Sequence, residues 1–356
     1  MTNHHQKQRF LAEWQPQEAV LMAWPYPNSD WQPWLADISQ NYVELTRAIS
    51  LAATPLILCQ NPDHHDQIIA QLGPELARKA VMRICPYDDT WCRDFGPITL
   101  GNGNQAQALI DFQFTGWGHK HQADADNLVN SQLQQANLWQ LPLTTIKFDL
   151  EGGAIETDGQ GTLLTTQACL MAGNRNQQLA QEQVEQALID YLGVDRVLWL
   201  THGCLLGDDT DSHVDNLVRF ADPQTLVYLS CDNPQDPHYQ PLKAMEQQVL
   251  ALKQSNGQSY RCFPVLLPDP VHDETGNRLP ASYVNFLILN DIVIVPVFGK
   301  AQDNPALQTL SKAFPRHQLV TIDGRHLIKQ FGGPHCATMQ LPVNCLQPHV
   351  LPRDSR

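Results

Sequence analysis

A strand–turn–strand element that opens with a polar residue recurs along the chain, and it constrains the fold more than any other feature. Each copy continues with an apolar strand, a turn of Gly, Asp or Pro, and a second strand. The copies open at Asp94, Glu151, Asp215 and Asn285, and Cys336 opens a similar final strand. Intervals of roughly 50–70 residues are compatible with a cyclic array of ββαβ units, in which the polar openings converge on one central axis. Unrelated hairpins in a mixed protein remain the alternative.

Apolar periodicity predicts helices between these strands, so the chain is expected to be an α/β protein. Helical period or a first-turn proline predicts helices at 34–50, 177–192, 241–254 and 305–314, the last behind a cap at Asp303 or Asn304. Short β-rich runs predict strands at 56–59, 162–166, 197–200, 225–229, 292–297 and 318–322. No linker or low-complexity segment divides residues 1–356, which favours a single catalytic domain.

The acidic composition indicates which kinds of partner the chain can bind. The net charge of −14 makes a phosphate-backbone partner improbable and suits a small cationic molecule, although it also serves solubility alone. No apolar run is long enough to span a membrane, and the first ten residues lack a signal-peptide core. Nine cysteines without a Cys-x-x-Cys pair indicate free thiols in a reducing cytoplasm. Homo-oligomerisation is left open.

One cysteine stands in a context that suits a nucleophile. Residues 331–338 (FGGPHCAT) place Cys336 just after a glycine pair, where backbone approaches a ligand closely. A lone cysteine is more often a small buried hydrophobe, and the other eight are assigned that role.

A histidine and two further carboxylates complete the candidate chemistry. His213 precedes Asp215 by two residues, so both side chains share a face if the segment is extended, and the carboxylate can orient the imidazole. A hydrogen-bonded structural histidine is the plain alternative. Asp94 and Glu151 each lie close to glycine in apolar surroundings, and a salt bridge to Arg93 is the plain use of Asp94.

Together these groups favour a guanidinium substrate. A guanidinium is planar and always protonated, and its paired N–H groups match carboxylates in bidentate fashion. Carboxylates would hold it while the Cys336 thiolate attacks its carbon and His213 protonates the departing ammonia. Water activated by His213 would then release a ureido product, without metal or cofactor. The resting protonation of Cys336 is left open.

The same residues allow two rival hypotheses. A metal site from His213, Asp215, Glu151 and Cys336 is disfavoured, because the chain lacks H-E-x-x-H, Cys-x-x-Cys and any tight ligand cluster. A noncatalytic binding module would be favoured if Cys336 proved chemically silent.

Seven ordered motifs resemble the agmatine deiminase and bacterial peptidylarginine-deiminase-like family of guanidino-group-modifying enzymes. They span nearly the whole chain: AEWQP at 12–16 with WP at 24–25, WCRDFGP at 91–97, FTGWG at 114–118, EGG at 151–153, HVDN at 213–216, YVNF at 283–286 and GGPHCATMQ at 332–340. The resemblance implies a pentein α/β propeller, with five ββαβ units around a pseudo-fivefold axis. It also implies Cys336 as nucleophile, His213 as acid/base, and Asp94, Glu151 and Asp215 as guanidinium and histidine partners.

The chain departs from the family pattern before both His213 and Cys336, and these departures bear on the substrate more than on the chemistry. It has DTDSH at 209–213 where authentic agmatine deiminases usually have ETNGH, and a shorter glycine run before the cysteine. The acidic Asp208, Asp209 and Asp211 suit a distal amine better than an α-carboxylate, unless they form a solvated loop.

Agmatine, giving N-carbamoylputrescine and ammonia, is therefore the first expectation. A peptidyl or C-terminal arginine, or another alkylguanidine, is the alternative. The residues expected to contact the substrate are Trp91, Trp117, Asp209, Asp211 and Gly333.

Overall fold

A computed structural model describes residues 7–352 of the 356-residue chain. The first six residues of the N-terminal segment that was judged unlike a signal peptide lie outside this range. No helix within the described range is long and apolar enough to cross a membrane.

Seventeen strands are assigned in the described part of the chain. They are β1 (Arg9–Phe10), β2 (Gln17–Ala23), β3 (Thr54–Cys59), β4 (Val81–Ile84), β5 (Ile98–Asn102), β6 (Gln105–Gln113), β7 (Leu143–Asp149), β8 (Ile155–Thr157), β9 (Thr162–Thr166), β10 (Arg196–Leu200), β11 (Val218–Asp222), β12 (Thr225–Ser230), β13 (Arg261–Leu266), β14 (Leu287–Leu289), β15 (Ile292–Val297), β16 (Gln318–Asp323) and β17 (Met339–Pro342).

Ten α-helical segments and four 3₁₀ turns accompany them over residues 7–352. The helices are α1 (Leu35–Ile49), α2 (Pro62–Ala77), α3 (Cys92–Phe95), α4 (Gly116–His119), α5 (Asp126–Gln135), α6 (Gln167–Leu170), α7 (Gln181–Leu192), α8 (Tyr239–Ala251), α9 (Asp303–Ala313) and α10 (Gly324–Leu327). The 3₁₀ turns are Gln32–Trp34, Gly152–Ala154, Val214–Asn216 and Ile328–Gln330.

The strands form five small sheets that share one pairing pattern. Their orders are β1-β5-β6-β7, β8-β9-β10, β11-β12-β13, β14-β15-β16 and β17-β2-β3-β4. In each sheet a short antiparallel pair is followed by a parallel strand, such as β14–β15 and then β15–β16. A parallel partner requires a crossover, and α1, α5, α7, α8 and α9 supply it in the five sheets. The architecture is therefore mixed α/β with several small sheets.

The middle strands of two sheets are completely buried. Every residue of β9 and of β12 is buried, because a crossover helix packs on the sheet and neighbouring strands pair with both edges. Helix α1 shows the matching stripe, since Ile38, Tyr42, Leu45 and Ile49 recur at helical spacing and are fully buried.

The four predicted helices are confirmed, with shifted ends. Residues 177–180 lie before α7, since Ala180 is extended, and α8 ends at Ala251 because Leu252 is extended. The expected cap of α9 was wrong. Asp303 is its first helical residue, and its carboxylate accepts hydrogen bonds from the amides of the preceding loop, including that of Gly299 at 2.8 Å.

Candidate active site

Each of the five polar openings lies in a short segment that leads into one strand of an antiparallel pair, in the pairs β5–β6, β8–β9, β11–β12, β14–β15 and β17–β2. Asp94 lies in α3 before β5, Glu151 before β8, Asp215 before β11, Asn285 before β14, and Cys336 before β17. Hydrogen bonds connect several of these openings, directly or through residues next to them in the chain. The Gly153 amide donates to Asp94 at 2.9 Å, Asn285 Nδ2 donates to Cys336 Sγ at 3.1 Å, and the Arg93 amide donates to the Cys336 carbonyl at 3.1 Å.

The Cys336 loop is held by Asn285. Its side-chain oxygen accepts from the amides of His335 and Cys336 at 3.1 and 3.3 Å, while its Nδ2 faces the sulfur. The glycine pair before the cysteine makes this approach feasible, because a Cβ on Gly333 would lie 2.4 Å from Asn285 Oδ1 and one on Gly332 would lie 2.4 Å from the Trp91 ring. Glycine therefore brings these two side chains against the nucleophile loop.

Asp94 is fixed by two hydrogen-bond donors. Its Oδ1 accepts from the Gly153 amide and its Oδ2 from Trp117 Nε1, both at 2.9 Å. Trp117 adopts left-handed backbone with φ of 55°, which is costly for a bulky residue and is typical of functional sites. Arg93 does not take the role of salt-bridge partner, since its Nε donates to the His335 carbonyl at 3.3 Å.

His213 and Asp215 lie at a turn instead of on an extended strand. Val214–Asn216 forms a 3₁₀ turn with His213 at its N-cap, which corrects the extended expectation. Both side chains still face Gly153, because a Cβ there would lie 2.6 Å from His213 Nδ1 and 3.1 Å from Asp215 Oδ2. Within the described residues His213 is fully buried and neither ring nitrogen has a hydrogen-bond partner; Nδ1 lies 3.7 Å from Asp94 Oδ1.

Glu151 is paired with an arginine that the sequence motifs did not include. Arg175 Nε donates to Glu151 Oε1 at 2.7 Å, and its Nη1 donates to Asp211 at 2.6 Å. The second Glu151 oxygen is buried without a hydrogen-bond partner among residues 7–352. Arg175 thus neutralises part of the acidic wall and ties the Asp211 loop to it.

A pocket that opens to solvent reaches Cys336. Its lining includes four predicted residues besides the cysteine: Trp91, Asp94, Trp117 and Asp209. Asp30 and Asp89 add two acidic groups that had not been predicted, and Gln330, Phe331 and Gly332 form the wall next to the nucleophile loop.

The other predicted contact residues lie elsewhere. Asp211 is held by Arg175 and Lys120, whose Nζ lies 3.0 Å from its Oδ1, and Gly333 packs on Asn285. Neither belongs to the pocket lining. Asp209 faces the pocket, but its carboxylate lies 2.8 Å from His121 Nε2. Asp208 accepts hydrogen bonds from Thr210 and Ser212 of its own loop.

Burial shapes the protonation of the site. Burial, then the charges of Asp215 and Glu151, raise the pKa of Asp94 well above its usual range. Burial, then Asp215 and Asp94, likewise raise the pKa of the Cys336 thiol. Burial lowers the pKa of His213 to about 3 against the opposing effect of Asp215. At rest the thiol and the imidazole are therefore both neutral.

A second cluster of buried charges lies behind the pocket. His335 Nδ1 lies 2.8 Å from Asp215 Oδ2, and its Nε2 lies 2.8 Å from Glu13 Oε2. Arg219 pairs with both Glu13 and Glu156. Burial would raise the pKa of Asp215, but the hydrogen bond and charge of His335 outweigh it and lower that pKa below its usual value.

Two residue groups in the described range could bring metal ligands together. Glu151, Cys169 and His213 place ligand atoms within 4.8 Å of one another, as do Glu13, Glu156 and His335. The guanidinium of Arg219 already pairs with both carboxylates of the second group. In the first group, Arg175 binds one oxygen of Glu151.

Sequence reasoning missed several of these residues. His335 and Asn285 lie in the family motifs GGPHCATMQ and YVNF, and Asn285 also opens a strand, but neither residue was predicted to have a role in the site. Of the eight cysteines assigned to the interior, six are buried, Cys262 is partly buried and Cys204 is exposed. The assignment was therefore wrong for Cys204, which lies in an irregular loop where burial is not imposed by a strand or helix.

Similarity to known proteins agrees with this geometry. The family model of the Porphyromonas-type peptidyl-arginine deiminase matches residues 9–342. The agmatine deiminase of Stutzerimonas stutzeri is 32% identical over 93% of this chain and 95% of its own. A solved structure from Porphyromonas gingivalis, provisionally named an arginine deiminase, is 41% identical with a TM-score of 0.90, over 96% and 100% of the two chains.

A third relative carries its substrate. A cysteine-to-serine variant of the C. jejuni agmatine deiminase, solved with substrate bound, is 32% identical with a TM-score of 0.87, over 94% and 96% of the chains. Matches of this extent and identity leave no doubt about kinship. The chain belongs to the agmatine deiminase and Porphyromonas-type peptidyl-arginine deiminase family.

Proposed function

We propose that the protein hydrolyses agmatine to N-carbamoylputrescine and ammonia. The observation that carries this proposal is the pocket, whose lining combines Cys336 with four acidic residues, Asp94, Asp89, Asp30 and Asp209. A thiol among carboxyl groups suits a cationic electrophile, since carboxylates bind a guanidinium by charge-assisted hydrogen bonds. The relatives named agmatine deiminase support the same reaction.

Substrate binding would ionise the site. Asp94 and Cys336 are held neutral by burial and by neighbouring carboxylates, so an entering guanidinium supplies the charge that favours their anionic forms. Asp94 would accept from one edge of the guanidinium. Asp215, whose Oδ2 lies 3.5 Å from Cys336 Sγ, would accept from the other.

The first half-reaction would form a covalent amidino-thioether. Cys336 gives its proton to the neutral imidazole of His213, and the thiolate sulfur adds to the guanidinium carbon. His213 then returns the proton to one nitrogen, which leaves as ammonia when its bond to carbon breaks. One oxygen of Glu151 would orient His213, while Arg175 binds the other oxygen of Glu151.

The second half-reaction would release the product. His213 takes a proton from water, and the hydroxide adds to the carbon of the cationic amidino-thioether. The carbon–sulfur bond then breaks and the new hydroxyl group gives its proton to the leaving sulfur, which yields the ureido group and the thiol. His213 finally loses its proton to solvent and returns to the neutral form. His213 therefore serves as base and acid in turn, and a nitrogen free of structural hydrogen bonds suits that exchange.

Charges at the pocket favour a distal amine. An α-carboxylate would need a cationic partner, whereas Lys120 is engaged by Asp209 and Asp211, and His121 by Asp209. Asp30 and Asp89 are better suited to an ammonium group. Arginine, free or peptidyl, is the second candidate because the P. gingivalis relative has the higher identity and the arginine name.

We infer that the chain is one catalytic unit with the pentein architecture, five ββαβ units around a pseudo-fivefold axis. The shared pairing of the five sheets supports this. Hydrogen bonds between successive units support it too. The Phe220 amide donates to Glu156, and Ser282 donates to the Asn216 carbonyl. The Arg93 amide donates to the Cys336 carbonyl, which connects the last opening with the first. The nine free cysteines support a cytoplasmic location.

The deciding experiment measures ammonia release from agmatine, free arginine and a short arginine peptide, with Cys336→Ser as the matched control. Agmatine should be the fastest substrate and Cys336→Ser should be silent. Faster release from the peptide or from arginine would retain the chemistry and overturn the substrate. Silence with all three in the native protein would overturn the proposed activity.

A further inference from the structure

The imidazole of His335 lies between two buried carboxylates. Its Nδ1 is 2.8 Å from Asp215 Oδ2 and its Nε2 is 2.8 Å from Glu13 Oε2, and the side chain is only 2% exposed. Carboxylate oxygens that are ionised only accept hydrogen bonds, so both ring nitrogens must donate. Only the imidazolium form has two donors, which makes the ring a cationic bridge.

The Glu13 end of the bridge is anchored to the fold. Glu13 accepts from Arg219 and from the backbone amide of Ile288, and Arg219 also donates to the Phe286 carbonyl at 2.6 Å. Glu156 completes this cluster through its own pairing with Arg219. Such a charge network is rigid only when every member is satisfied, as these contacts make it.

The Asp215 end of the bridge faces the nucleophile. Asp215 Oδ2, the oxygen bonded to His335, lies 3.5 Å from Cys336 Sγ. The fixed side of the cluster is thus connected through one ring to the carboxylate next to the reacting sulfur.

We propose that His335 is a positioning residue that keeps the Asp215 carboxylate ionised and aimed at the substrate guanidinium, and this rests on the proposed guanidine hydrolysis. Besides His335, the charged or titratable groups that bear on Asp215 are Arg93, Asp94, Asp208, His213, Arg219 and Cys336. His335 is the cation that bonds it directly, so losing that ring leaves burial to favour the neutral carboxyl.

Two substitutions separate the two ends of the bridge. In His335→Asn, the amide nitrogen takes the position of Nδ1 and retains the hydrogen bond to Asp215. In His335→Gln, the longer side chain takes the position of Nε2 and retains the hydrogen bond to Glu13. Both lose the positive charge to the same extent, so they differ only in which carboxylate remains held.

The positioning role predicts an unequal result. His335→Gln should lower kcat/KM for agmatine by roughly 10- to 100-fold, and His335→Asn should recover much of that loss. Because the pKa of Asp215 rises without its partner, the acid limb of kcat/KM should move to higher pH, further in Gln than in Asn. His238→Gln, at a remote histidine bonded to Asp236, should change neither quantity.

A purely structural role gives a different pattern. If His335 only anchored Glu13, His335→Asn would be the more damaged variant in thermal unfolding and in turnover, and the acid limb would stay in place. Equal losses in both variants would also overturn the inference, because the bond to Asp215 would then not matter.

Binding measured in the Cys336→Ser background separates this inference from the reaction itself. Calorimetric titration with agmatine should show weaker binding for His335→Gln than for His335→Asn. Binding without turnover in the native protein would overturn the proposed function alone. Equal affinities in the two variants would overturn the His335 inference alone, and no binding to the Cys336→Ser protein would overturn both.

Discussion

Two clusters of buried charge lie on either side of Asp215, and their hydrogen bonding differs. Behind it, Glu13, Glu156, Arg219 and His335 pair with one another. In front of it, His213 has both ring nitrogens unbonded among the described residues, and Cys336 and Asp94 are held neutral. The first cluster has its partners within the fold, whereas the second lacks a cation that a substrate would bring.

Because of that difference, substitutions in the two clusters should have different effects on stability and on turnover. A buried charge without a partner is unfavourable, so an unpaired group persists only where the rest of the fold holds it. We therefore expect substitutions in the front cluster to affect turnover more than folding, and substitutions at Glu13, Glu156 or Arg219 in the rear cluster to affect folding first.

The largest effect on turnover among the supporting groups is expected at His213. His213→Ala removes the proton carrier and should reduce kcat by about 10²- to 10⁴-fold, while the protein still unfolds cooperatively. The control is His64→Ala, another buried histidine, whose Nε2 faces the Pro25 carbonyl away from the pocket. Comparable rates in the two variants would remove His213 from the mechanism.

Arg219→Met tests the rear cluster. Removing the guanidinium leaves Glu13 and Glu156 buried without their cation, which should lower the free energy of unfolding by about 3–5 kcal/mol. Arg261→Met is the control, since its ion pair with Asp222 is exposed and should contribute less than about 1 kcal/mol. Urea unfolding of both variants measures this difference, and equal stabilities would mean that the rear cluster is not a structural element.

Asp94→Asn should have a smaller effect on turnover. The amide removes the charge for the guanidinium and turns an N–H group toward either Gly153 or Trp117, which both donate. Loss of one charged hydrogen bond predicts a decrease of roughly 10- to 100-fold in kcat/KM with agmatine. Asp111→Asn, at a buried carboxyl bonded to Asn130 and Thr145, controls for burial and should leave turnover intact. An unchanged rate in Asp94→Asn would exclude Asp94 from the site.

Local sequence patterns predicted the helices and strands better than they predicted which side chains pair with each other. The apolar stripe of α1 and the recurring polar openings are readable because helix and strand periods are local properties. The partner of Glu151, Arg175, lies in a loop with no periodic signal. His335 and Glu13 are joined across more than 300 positions of the chain, a contact that only the closed fold creates.

Hydrogen-bond partners also explain why only some of the predicted site residues line the pocket. Asp94 and Cys336 were placed in one site because each opens a sheet, and the pocket brings them together. Asp211 was placed there because of its charge alone. Its charge is taken up by Arg175 and Lys120, which a count of acidic residues could not reveal.

The last effect expected from the comparison is a pH dependence of stability, which is spread over several pH units. Burial lowers the pKa of His213 from 6.5 to about 3, so between these values the unfolded chain binds a proton that the folded protein does not. Stability from this group is present above pH 6.5 and is lost as the pH falls toward 3, at up to about 1.4 kcal/mol per pH unit.

His213→Ala removes this proton from the balance and provides the test. Urea unfolding from pH 6.5 downward should show a shallower loss of stability in His213→Ala than in the native protein, because every other titrating group is shared. Parallel curves would mean that the folded protein protonates His213 as readily as the unfolded chain does. The imidazole would then already have a charged partner at rest, and the front cluster would be paired like the rear one.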